Sequence, residues 1–189
     1  MKVISGFLKG RNIKGFDING TRPTMDRVKE SLFAIIQNYI DDSIVLDLFA
    51  GSGNLGIESI SNGSKRVYFN DINKESIKVI KTNLKNFDIM DKSIVLNYDY
   101  NKALDYLNDM NMKFDIIFLD PPYKEKILNE IIEKILKCNL LNKNGIIVCE
   151  ISNDYINSFD MLEKIKQKKY GDKEIVIFKH IKNMIEECK

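Results

Sequence analysis

The stretch that decides the fold is Ile44–Gly56, IVLDLFAGSGNLG. Its apolar run continues past Asp47 to Phe49, stops at a turn that contains glycines, and is followed by a helical pattern from Leu55. This order predicts a buried strand, a tight turn and the first turn of a helix. Glycines in such a turn let the main chain approach a ligand closely, and the start of a helix offers N–H groups to an anion.

The acidic residue at the end of the predicted strand indicates which ligand fits. Gly51–Gly56 matches the dinucleotide pattern G-x-G-x-x-G, but a pyrophosphate beside Asp47 would be repelled by the carboxylate. S-adenosylmethionine instead carries an ammonium and a sulfonium that a carboxylate attracts, and one carboxylate for the helix start. The alternative is that Asp47 merely caps the turn. We favour the ligand, because a half-buried carboxylate usually has a partner or a function.

The composition is that of an ordinary globular chain. Its 189 residues, 44% hydrophobic and 30% charged, predict one domain. Three cysteines without CxxC spacing and a single histidine give no sign of a metal site or a disulfide framework. Apolar runs are too short to span a membrane, and the N-terminus lacks a signal-peptide core. We therefore expect a cytoplasmic monomer that binds neither metal nor membrane.

The formal net charge of +2 is unevenly distributed. Residues 1–30 contain seven basic and three acidic residues, and we expect this segment to hold the only excess of positive charge that is available to a polyanion. Three of its basic residues, with two aromatic residues nearby, lie between glycines: Lys9, Arg11 and Lys14, with Phe7 and Phe16. Aromatic rings can stack on bases while the charges hold phosphates, which predicts a polyanion-binding arm. A solvated basic surface is the alternative.

Strands and helices alternate along most of the chain. The arm is predicted to form strands at Val3–Ser5 and Phe7–Lys9, and a helix follows with Thr24 as its cap. Further strands are predicted at Arg66–Asn70, Ser93–Asn97, Phe114–Leu119 and Gly145–Ile151, then a hairpin of Leu162–Lys168 and Glu174–Lys179 around Tyr170–Asp172. This pattern predicts a doubly wound, mostly parallel α/β sheet with a C-terminal antiparallel hairpin and a small N-terminal β/helix extension. We assign residues 1–42 to the extension, 43–180 to the core and 181–189 to a tail.

Two loops carry the least ordinary chemistry. If the first and fourth core strands are central neighbours, the sheet order reverses between them, and a ligand binds beyond their carboxyl ends. The loops Ala50–Gly53 and Asp120–Tyr123 follow those two strands. Asp71 lies about 20 residues after the glycine turn, where an acidic side chain can hold ribose hydroxyls.

The loop Asp120–Pro121–Pro122–Tyr123 suits a planar base with an exocyclic amino group. The prolines stiffen the loop and lack N–H groups, so the main chain offers carbonyl oxygens. The Asp120 carboxylate and the Pro121 carbonyl can each accept one amino proton, while the Tyr123 ring stacks on the base. Such a pair orients the nitrogen toward a methyl donor, and Asp120 or water can take the proton late. A rigid loop without a role is the alternative.

These motifs resemble a known family. DLFAGSG followed by DPPY resembles the class I S-adenosylmethionine-dependent amino-methyltransferases. Ile4–Arg11, ISGFLKGR, and Thr21–Phe33, TRPTMDRVKESLF, resemble the RsmD family, which methylates N2 of a guanine in bacterial 16S ribosomal RNA. The resemblance runs from about Val3 to Lys179. It implies a seven-stranded, Rossmann-like class I methyltransferase fold with S-adenosylmethionine as cofactor. It also implies that 16S rRNA or an assembling small ribosomal subunit is the partner, with the target guanine flipped into the DPPY pocket.

The resemblance also implies roles for individual residues. Cofactor-binding residues would be Asp47, Phe49, Gly51, Gly53, Asp71, Ile72, Asp99, Tyr100, Arg22 and Thr24. Among them, Asp47, Gly51 and Gly53 would contact the methionine end, Asp71 the ribose and Asp99 the adenine amino group. The catalytic loop Asp120, Pro121, Pro122 and Tyr123 would hold the guanine, and Arg22, Thr24 and Arg27 would close the site from the N-terminal side. Independently of the resemblance, the charge pattern predicts Lys9, Arg11 and Lys14 as RNA-binding residues, and we assign Arg27 to the same group. Asp71 stands where the family usually has Glu, and the sequence gives no reason for Asn54, where a smaller residue is common.

Two other functions remain open from the sequence. Adenine also offers an exocyclic amino group, so a DNA or RNA adenine-N6 methyltransferase is the first alternative. A DNA enzyme of this kind usually has a target-recognition segment, for which 189 residues leave no room. A non-catalytic nucleic-acid-binding module is the second alternative, and binding of S-adenosylmethionine would argue against it.

Overall fold

The architecture is taken from a computed structural model that describes residues 1–15, 23–121, 127–151 and 156–181, without the side chains of residues 23–25. The helices are α1 (Pro23–Ile40), α2 (Asn54–Ser61), α3 (Lys74–Phe87), α4 (Tyr100–Asp109) and α5 (Leu128–Lys137). The strands are β1 (Ile44–Asp47), β2 (Arg66–Asn70), β3 (Ser93–Leu96), β4 (Phe114–Leu119), β5 (Leu141–Ile151), β6 (Leu162–Tyr170) and β7 (Lys173–His180). In these ranges, every helix is too short or too polar to cross a membrane.

The described strands form one seven-stranded sheet in the order β3-β2-β1-β4-β5-β7-β6. Strands β1 to β5 run parallel to one another, and β7 runs antiparallel to both β5 and β6. The predicted sheet and its C-terminal hairpin are therefore confirmed, as is the central pairing of β1 with β4. Asp47 lies opposite Phe118 in that pairing, so the glycine turn and Asp120 meet at the carboxyl edge of the sheet.

Alternate strand residues pack into two separate cores, because successive side chains of a strand point to opposite faces of the sheet. Val45 and Phe118 pack with α1, α2 and α3 on one face. Leu46 and Ile117 pack with α4 and α5 on the other. Residues on both faces are buried, which explains the nearly continuous apolar runs of the parallel strands.

Helix starts agree with the sequence in one case and differ in another. Asn73 caps α3 as predicted, because its side chain accepts a hydrogen bond of 2.8 Å from the N–H of Glu75. The helix α1 begins at Pro23, so Thr24 lies within its first turn rather than ahead of it. Proline is well suited to a first helical turn, since its missing N–H has no helical partner there.

The predicted strands Val3–Ser5 and Phe7–Lys9 do not form. The segment makes a single antiparallel bridge, between Lys2 and Asn12, and the residues between them form turns. Its N–H groups bond to other partners: that of Phe7 donates to the carbonyl of Ser61, at the end of α2, at 3.0 Å. The segment is therefore a loop laid along α2, because its alternating apolar residues pack on helices rather than on another strand.

Candidate active site

Three carboxylates converge at the carboxyl edge of the sheet. Asp47 ends β1, Asp120 follows β4, and Glu150 is the penultimate residue of β5. Each lies two residues after a residue of the core that faces α1 to α3, namely Val45, Phe118 and Val148. Residues two apart on a strand share a face, so the three carboxylates lie on this face of the sheet. All three line a cavity of about 550 Å³. A cavity of this size and acidity suits a cationic small molecule.

Asp47 is 3% exposed and holds the start of α2. Its Oδ2 accepts a hydrogen bond of 3.1 Å from the N–H of Gly56. Burial raises the pKa of Asp47 to about 7; this hydrogen bond opposes the rise, and the charge of Asp71 adds to it. The alternative that Asp47 caps the turn region is thus correct for one oxygen, but the residue also lines the cavity.

Asp120 lies among charges from three strands. Burial raises the pKa of this carboxyl to about 7, Glu150 and Asp47 push it upward, and Lys173 pulls it downward. Lys173, the first residue of β7, forms an ion pair with Glu150. A carboxyl with a pKa near 7 can accept a hydrogen bond and also take up a proton at neutral pH.

Sequence reasoning did not identify Glu150 and Lys173 as site residues. A signal for Glu150 was present, since an acidic residue at the carboxyl end of a strand adjoining β4 belongs to the same edge as Asp120. No local pattern marks Lys173. It reaches the site because β7 pairs with β5 and places the tip of the hairpin beside the cavity.

The glycine turn is braced by Asp71 of the neighbouring chain segment. Gly51 has φ 53°, and a Cβ there would meet none of the described atoms within 4 Å, so the turn leaves open space at the cavity. The Asp71 carboxylate accepts hydrogen bonds of 2.9 Å from the N–H of Gly51 and 2.8 Å from that of Asn73. Gly56 has another role, since a Cβ there would lie 2.2 Å from the Phe69 ring. Its lack of a side chain lets α2 pack on β2.

A second cavity of about 630 Å³ adjoins the first and shares Phe49, Gly51, Asp120 and Lys173 with it. The residues predicted for the ribose and adenine meet here: Asp71, Ile72, Asp99 and Tyr100. Ile72 is 71% exposed, which leaves an apolar surface for a flat ring. The Asp99 side chain accepts a hydrogen bond of 3.1 Å from the N–H of Lys102 and so also caps α4.

A buried ion pair lies beside the first cavity. Lys29 of α1 and Glu58 of α2 approach to 2.8 Å between Nζ and Oε2, with side chains 2% and 0% exposed. Lys29 also donates to the side-chain oxygen of Asn54 at 2.8 Å and to the carbonyl of Lys2 at 2.6 Å. This explains Asn54: it supplies an acceptor to a buried ammonium at the start of α2. Because Glu58 neutralises it, the Lys29 charge does not contribute to the exposed basic surface.

Glu58 in turn fastens the N-terminal segment. Its carboxylate accepts hydrogen bonds from the N–H groups of Ile4, at 3.0 Å, and Ser5, at 2.8 Å. A buried carboxylate is stable in such a place because the ammonium and the main-chain donors satisfy it.

The predicted RNA-binding residues are dispersed. Arg11 donates to the carbonyl of Asn86 at 2.7 Å, and its guanidinium lies 4.7 Å from the Phe87 ring centre, so it packs on the end of α3. Lys9 is exposed in the turns near the end of α2, and the N–H of Lys14 donates to Asn83 at 2.9 Å. Asn54, at the start of α2, borders the cavity, whereas Phe7, close to Lys9 in the chain, bonds to Ser61 at the end of this helix of about 12 Å.

The remaining predicted residues are placed as follows. Arg27 is exposed on α1. Pro121 is buried and lines the second cavity. Arg22, Pro122 and Tyr123 lie outside the described residues, as does Phe16, and the side chain of Thr24 is not described. Within the described ranges, no three His, Cys, Asp or Glu side chains are grouped to hold a metal ion, the three edge carboxylates included.

Comparison with known proteins gives matches over most of the chain. The model of the family described as "Conserved hypothetical protein 95" matches residues 1–179. The chain is 43% identical over 150 residues to the "Putative rRNA methyltransferase YlbH" of Bacillus subtilis, covering 79% of this chain and 82% of that protein. It is 35% identical over 157 residues to "Ribosomal RNA small subunit methyltransferase D" of Haemophilus influenzae, covering 82% and 80%.

Solved structures show the same architecture. The structure described as "putative methylase HI0767 from Haemophilus influenzae" superposes with a TM-score of 0.79 at 29% identity. The superposition covers 96% of this chain and 98% of that protein. An RNA methyltransferase of Salinibacter ruber, solved with S-adenosyl-L-homocysteine, has a TM-score of 0.66 at 11% identity, with 87% and 95% covered. The second likeness shows the fold alone.

Proposed function

Because the chain belongs to the RsmD family, whose model is described as conserved hypothetical protein 95, we propose that it is an S-adenosylmethionine-dependent methyltransferase of 16S ribosomal RNA. The observation that carries this proposal is the meeting of Asp47 and Asp120 at the carboxyl ends of neighbouring strands, on one cavity. One carboxylate suits a cationic methyl donor, and the other suits an amino group that accepts the methyl.

The described residues fit the cofactor. Asp47 and the open space at Gly51 suit the ammonium-bearing end, and Asp71, Ile72 and Asp99 surround the second cavity, where the adenosine would lie. When bound, S-adenosylmethionine supplies an electrophilic methyl group on its sulfonium. The carboxylate of Asp47 makes this wall of the cavity attractive to such a cation.

We propose N2 of a guanine as the methylated atom. A base inside a helix cannot reach the strand ends, so the target is taken from a loop or flipped out. In the pocket, Asp120 and the carbonyl of Pro121 each accept a hydrogen bond from one of the two amino N–H groups and so orient the nitrogen. As the nitrogen gains the methyl it becomes acidic, and Asp120, with its pKa near 7, takes the proton or passes it to water.

We also propose that the substrate is 16S rRNA or an assembling small subunit. The enzyme then works in the cytoplasm, and we propose that it does so as a monomer with one catalytic domain. Among its residues, Asp47, Asp71 and Asp99 bind the cofactor and Asp120–Tyr123 form the base pocket.

Nucleoside analysis tests the proposal directly. Purified protein is incubated with unmodified 16S rRNA and labelled S-adenosylmethionine, and the digested RNA is analysed by mass spectrometry. We expect N2-methylguanosine. N6-methyladenosine as the product would show that the same pocket holds adenine instead of guanine. Cofactor binding without any methyl transfer to RNA or to subunit particles would contradict the assigned activity, and absence of both would favour the binding module.

A further inference from the structure

The edge strand β6 carries a charge excess that the sequence analysis did not weigh. Its nine residues include four exposed lysines and one glutamate: Lys164, Lys166, Lys168, Lys169 and Glu163. The expectation that residues 1–30 hold the available basic surface is therefore incomplete. Lysines on an edge strand can simply prevent pairing with another chain, a role for which the face they occupy is unimportant.

The register of β6 with β7 divides these lysines between the two faces of the sheet. Lys166 lies opposite Ile177 and Lys168 opposite Ile175, and both isoleucines belong to the core that faces α1 to α3. We call Lys166 and Lys168 the α1-face pair. Paired residues of antiparallel strands share a face.

Two other lysines lie on the opposite face. Lys164 lies opposite Phe178, which belongs to the core on the α4 and α5 side, and Lys169 lies opposite Glu174, four residues from Phe178 on β7. We call Lys164 and Lys169 the α5-face pair, because side chains two and four residues apart on a strand point the same way.

The α5-face pair is compensated by neighbouring groups. Lys164 donates to the side-chain oxygen of Gln167 at 2.7 Å, and Gln167 donates to Glu174 at 3.0 Å. Glu174 is also the register partner of Lys169. The register partners of the α1-face pair are isoleucines, and the acidic residue of β6 on that face, Glu163, lies opposite Lys179.

The α1-face pair leads to the candidate active site. Tyr170 lies on the same face, two residues beyond Lys168, and its register partner is Lys173; both residues line the first cavity. The Tyr170 hydroxyl donates to Ser31 of α1 at 2.6 Å, and Lys168 donates to the same oxygen at 3.0 Å. Arg27 is exposed one helical turn before Ser31. Exposed basic side chains therefore lie on this face of β6 next to the cavity rim at Tyr170.

We propose that Lys166 and Lys168 hold successive phosphates of the RNA strand that flanks the target nucleotide, as it leaves the cavity past Tyr170. Their Cα atoms are about 6.6 Å apart, since each strand residue rises about 3.3 Å. The inference rests on the proposed function, because a polyanion beside this cavity is the RNA that carries the target base. It adds a binding surface outside the residues 1–30 and places it on the other side of the cavity rim from α2.

The two lysine pairs allow a matched test on one strand. The variants are Lys166→Gln/Lys168→Gln and Lys164→Gln/Lys169→Gln, which remove the same charge from the same edge. Affinity for naked 16S rRNA is measured over a salt series. The α1-face variant should bind more weakly, and its log–log salt slope should fall by about 1.4, at about 0.7 for each single-strand phosphate contact. The α5-face variant should keep the slope of the unmodified protein.

Further variants separate charge from structure. Ser31→Ala removes the hydrogen bonds to Lys168 and Tyr170 but leaves the lysine charge, and its salt slope should be unchanged. Lys166→Glu/Lys168→Glu keeps the edge charged, which excludes aggregation as the cause, and should weaken binding beyond the glutamine variant. Affinity for S-adenosylhomocysteine should stay unchanged in all of them, and the melting temperature should stay unchanged in the lysine variants.

Failure of the inference differs from failure of the proposed function. If the two glutamine pairs lower the slope equally, or not at all, while the unmodified protein still methylates 16S rRNA, the α1-face pair does not hold phosphates. If the unmodified protein binds neither 16S rRNA nor small-subunit particles, both proposals are overturned. The nucleoside analysis decides the function independently, because it requires none of the lysine variants.

Discussion

The N–H of Gly56 in α2 donates a hydrogen bond of 3.1 Å to Oδ2 of Asp47 at the end of β1. This bond ties the glycine turn to the strand and fixes a buried carboxyl at the wall of the cavity. Because the carboxyl is buried, its pKa is raised to about 7, and it is only partly ionised at neutral pH. A cationic ligand favours the ionised form, so ligand binding and protonation of Asp47 compete.

The affinity for S-adenosylmethionine should therefore rise with pH between about 6 and 8. Below pH 7 Asp47 is mostly protonated and offers the ammonium no charge; above pH 7 it is ionised. Calorimetric titrations across this range should show the rise for the unmodified protein. Asp47→Asn should bind S-adenosylmethionine more weakly. Once the titration of the ligand itself is subtracted, this variant should also lose most of the pH dependence of the affinity. An unchanged affinity in folded Asp47→Asn would contradict the role of Asp47.

The stability of the cofactor-free protein should have the opposite pH dependence. The folded-state pKa values of Asp47 and Asp120 are both raised from 3.8 to about 7, so their contribution to stability is full below about pH 4 and is lost as pH rises through 7. Thermal melting should thus show a decrease from pH 5.5 to 8.5. In Asp47→Asn/Asp120→Asn this decrease should be smaller, because the two groups no longer ionise. An equally steep decrease would assign the effect to other groups.

Asp120→Ala should reduce methyl transfer by roughly two orders of magnitude, as expected when a group that orients the reacting nitrogen is lost. Affinity for S-adenosylmethionine should change little, since Asp47 and Asp71 remain. Single-turnover methylation of 16S rRNA measures the first effect and calorimetry the second. Transfer near the unmodified rate would leave Asp120 as a loop residue without a catalytic role.

Breaking the buried ion pair should destabilise the protein strongly. Glu58→Gln leaves the Lys29 ammonium buried without its counter-charge, which costs about 3–5 kcal/mol in the free energy of unfolding. Lys29→Met/Glu58→Leu removes both charges and should be less destabilised than the sum of the single changes. Urea unfolding of the unmodified protein, Lys29→Met, Glu58→Leu and Lys29→Met/Glu58→Leu forms a double-mutant cycle. Additive single changes would show that the two charges do not depend on each other.

The N-terminal arm remains a second candidate RNA contact. Changing Lys9, Arg11 and Lys14 to Ala should weaken RNA binding and lower the salt slope by about one unit or somewhat less per lost phosphate contact. Since Arg11 packs on α3, Arg11→Ala alone should also lower the melting temperature, whereas Lys9→Ala should not. If plots of log affinity against log salt concentration are parallel for the triple variant and the unmodified protein, the arm is an ordinary solvated surface.

Local sequence patterns were sufficient for much of the fold. The apolar run that ends at Asp47 and the glycine turn after it predict a strand, a turn and a helix, because each depends on neighbouring residues. The alternation of such units predicts a parallel sheet, and the carboxyl ends of parallel strands share an edge. For this reason Asp47, Asp71 and Asp120 could be assigned to one site before their positions were known.

Tertiary structure alone decided which charges are compensated and which surface they occupy. Lys29 lies 29 residues before Glu58 in the chain, and no local pattern joins a residue of α1 to one of α2. Glu150 reaches Lys173 through the pairing of β5 with β7. The two strands predicted in the N-terminal segment do not form, because its N–H groups bond within local turns, to Glu58 and to the end of α2. The lysines of β6 look equivalent in sequence, and only the register with β7 assigns two of them to the face that leads to the cavity. Charge compensation acts between residues that folding brings together, so it follows from register and packing rather than from the order of the chain.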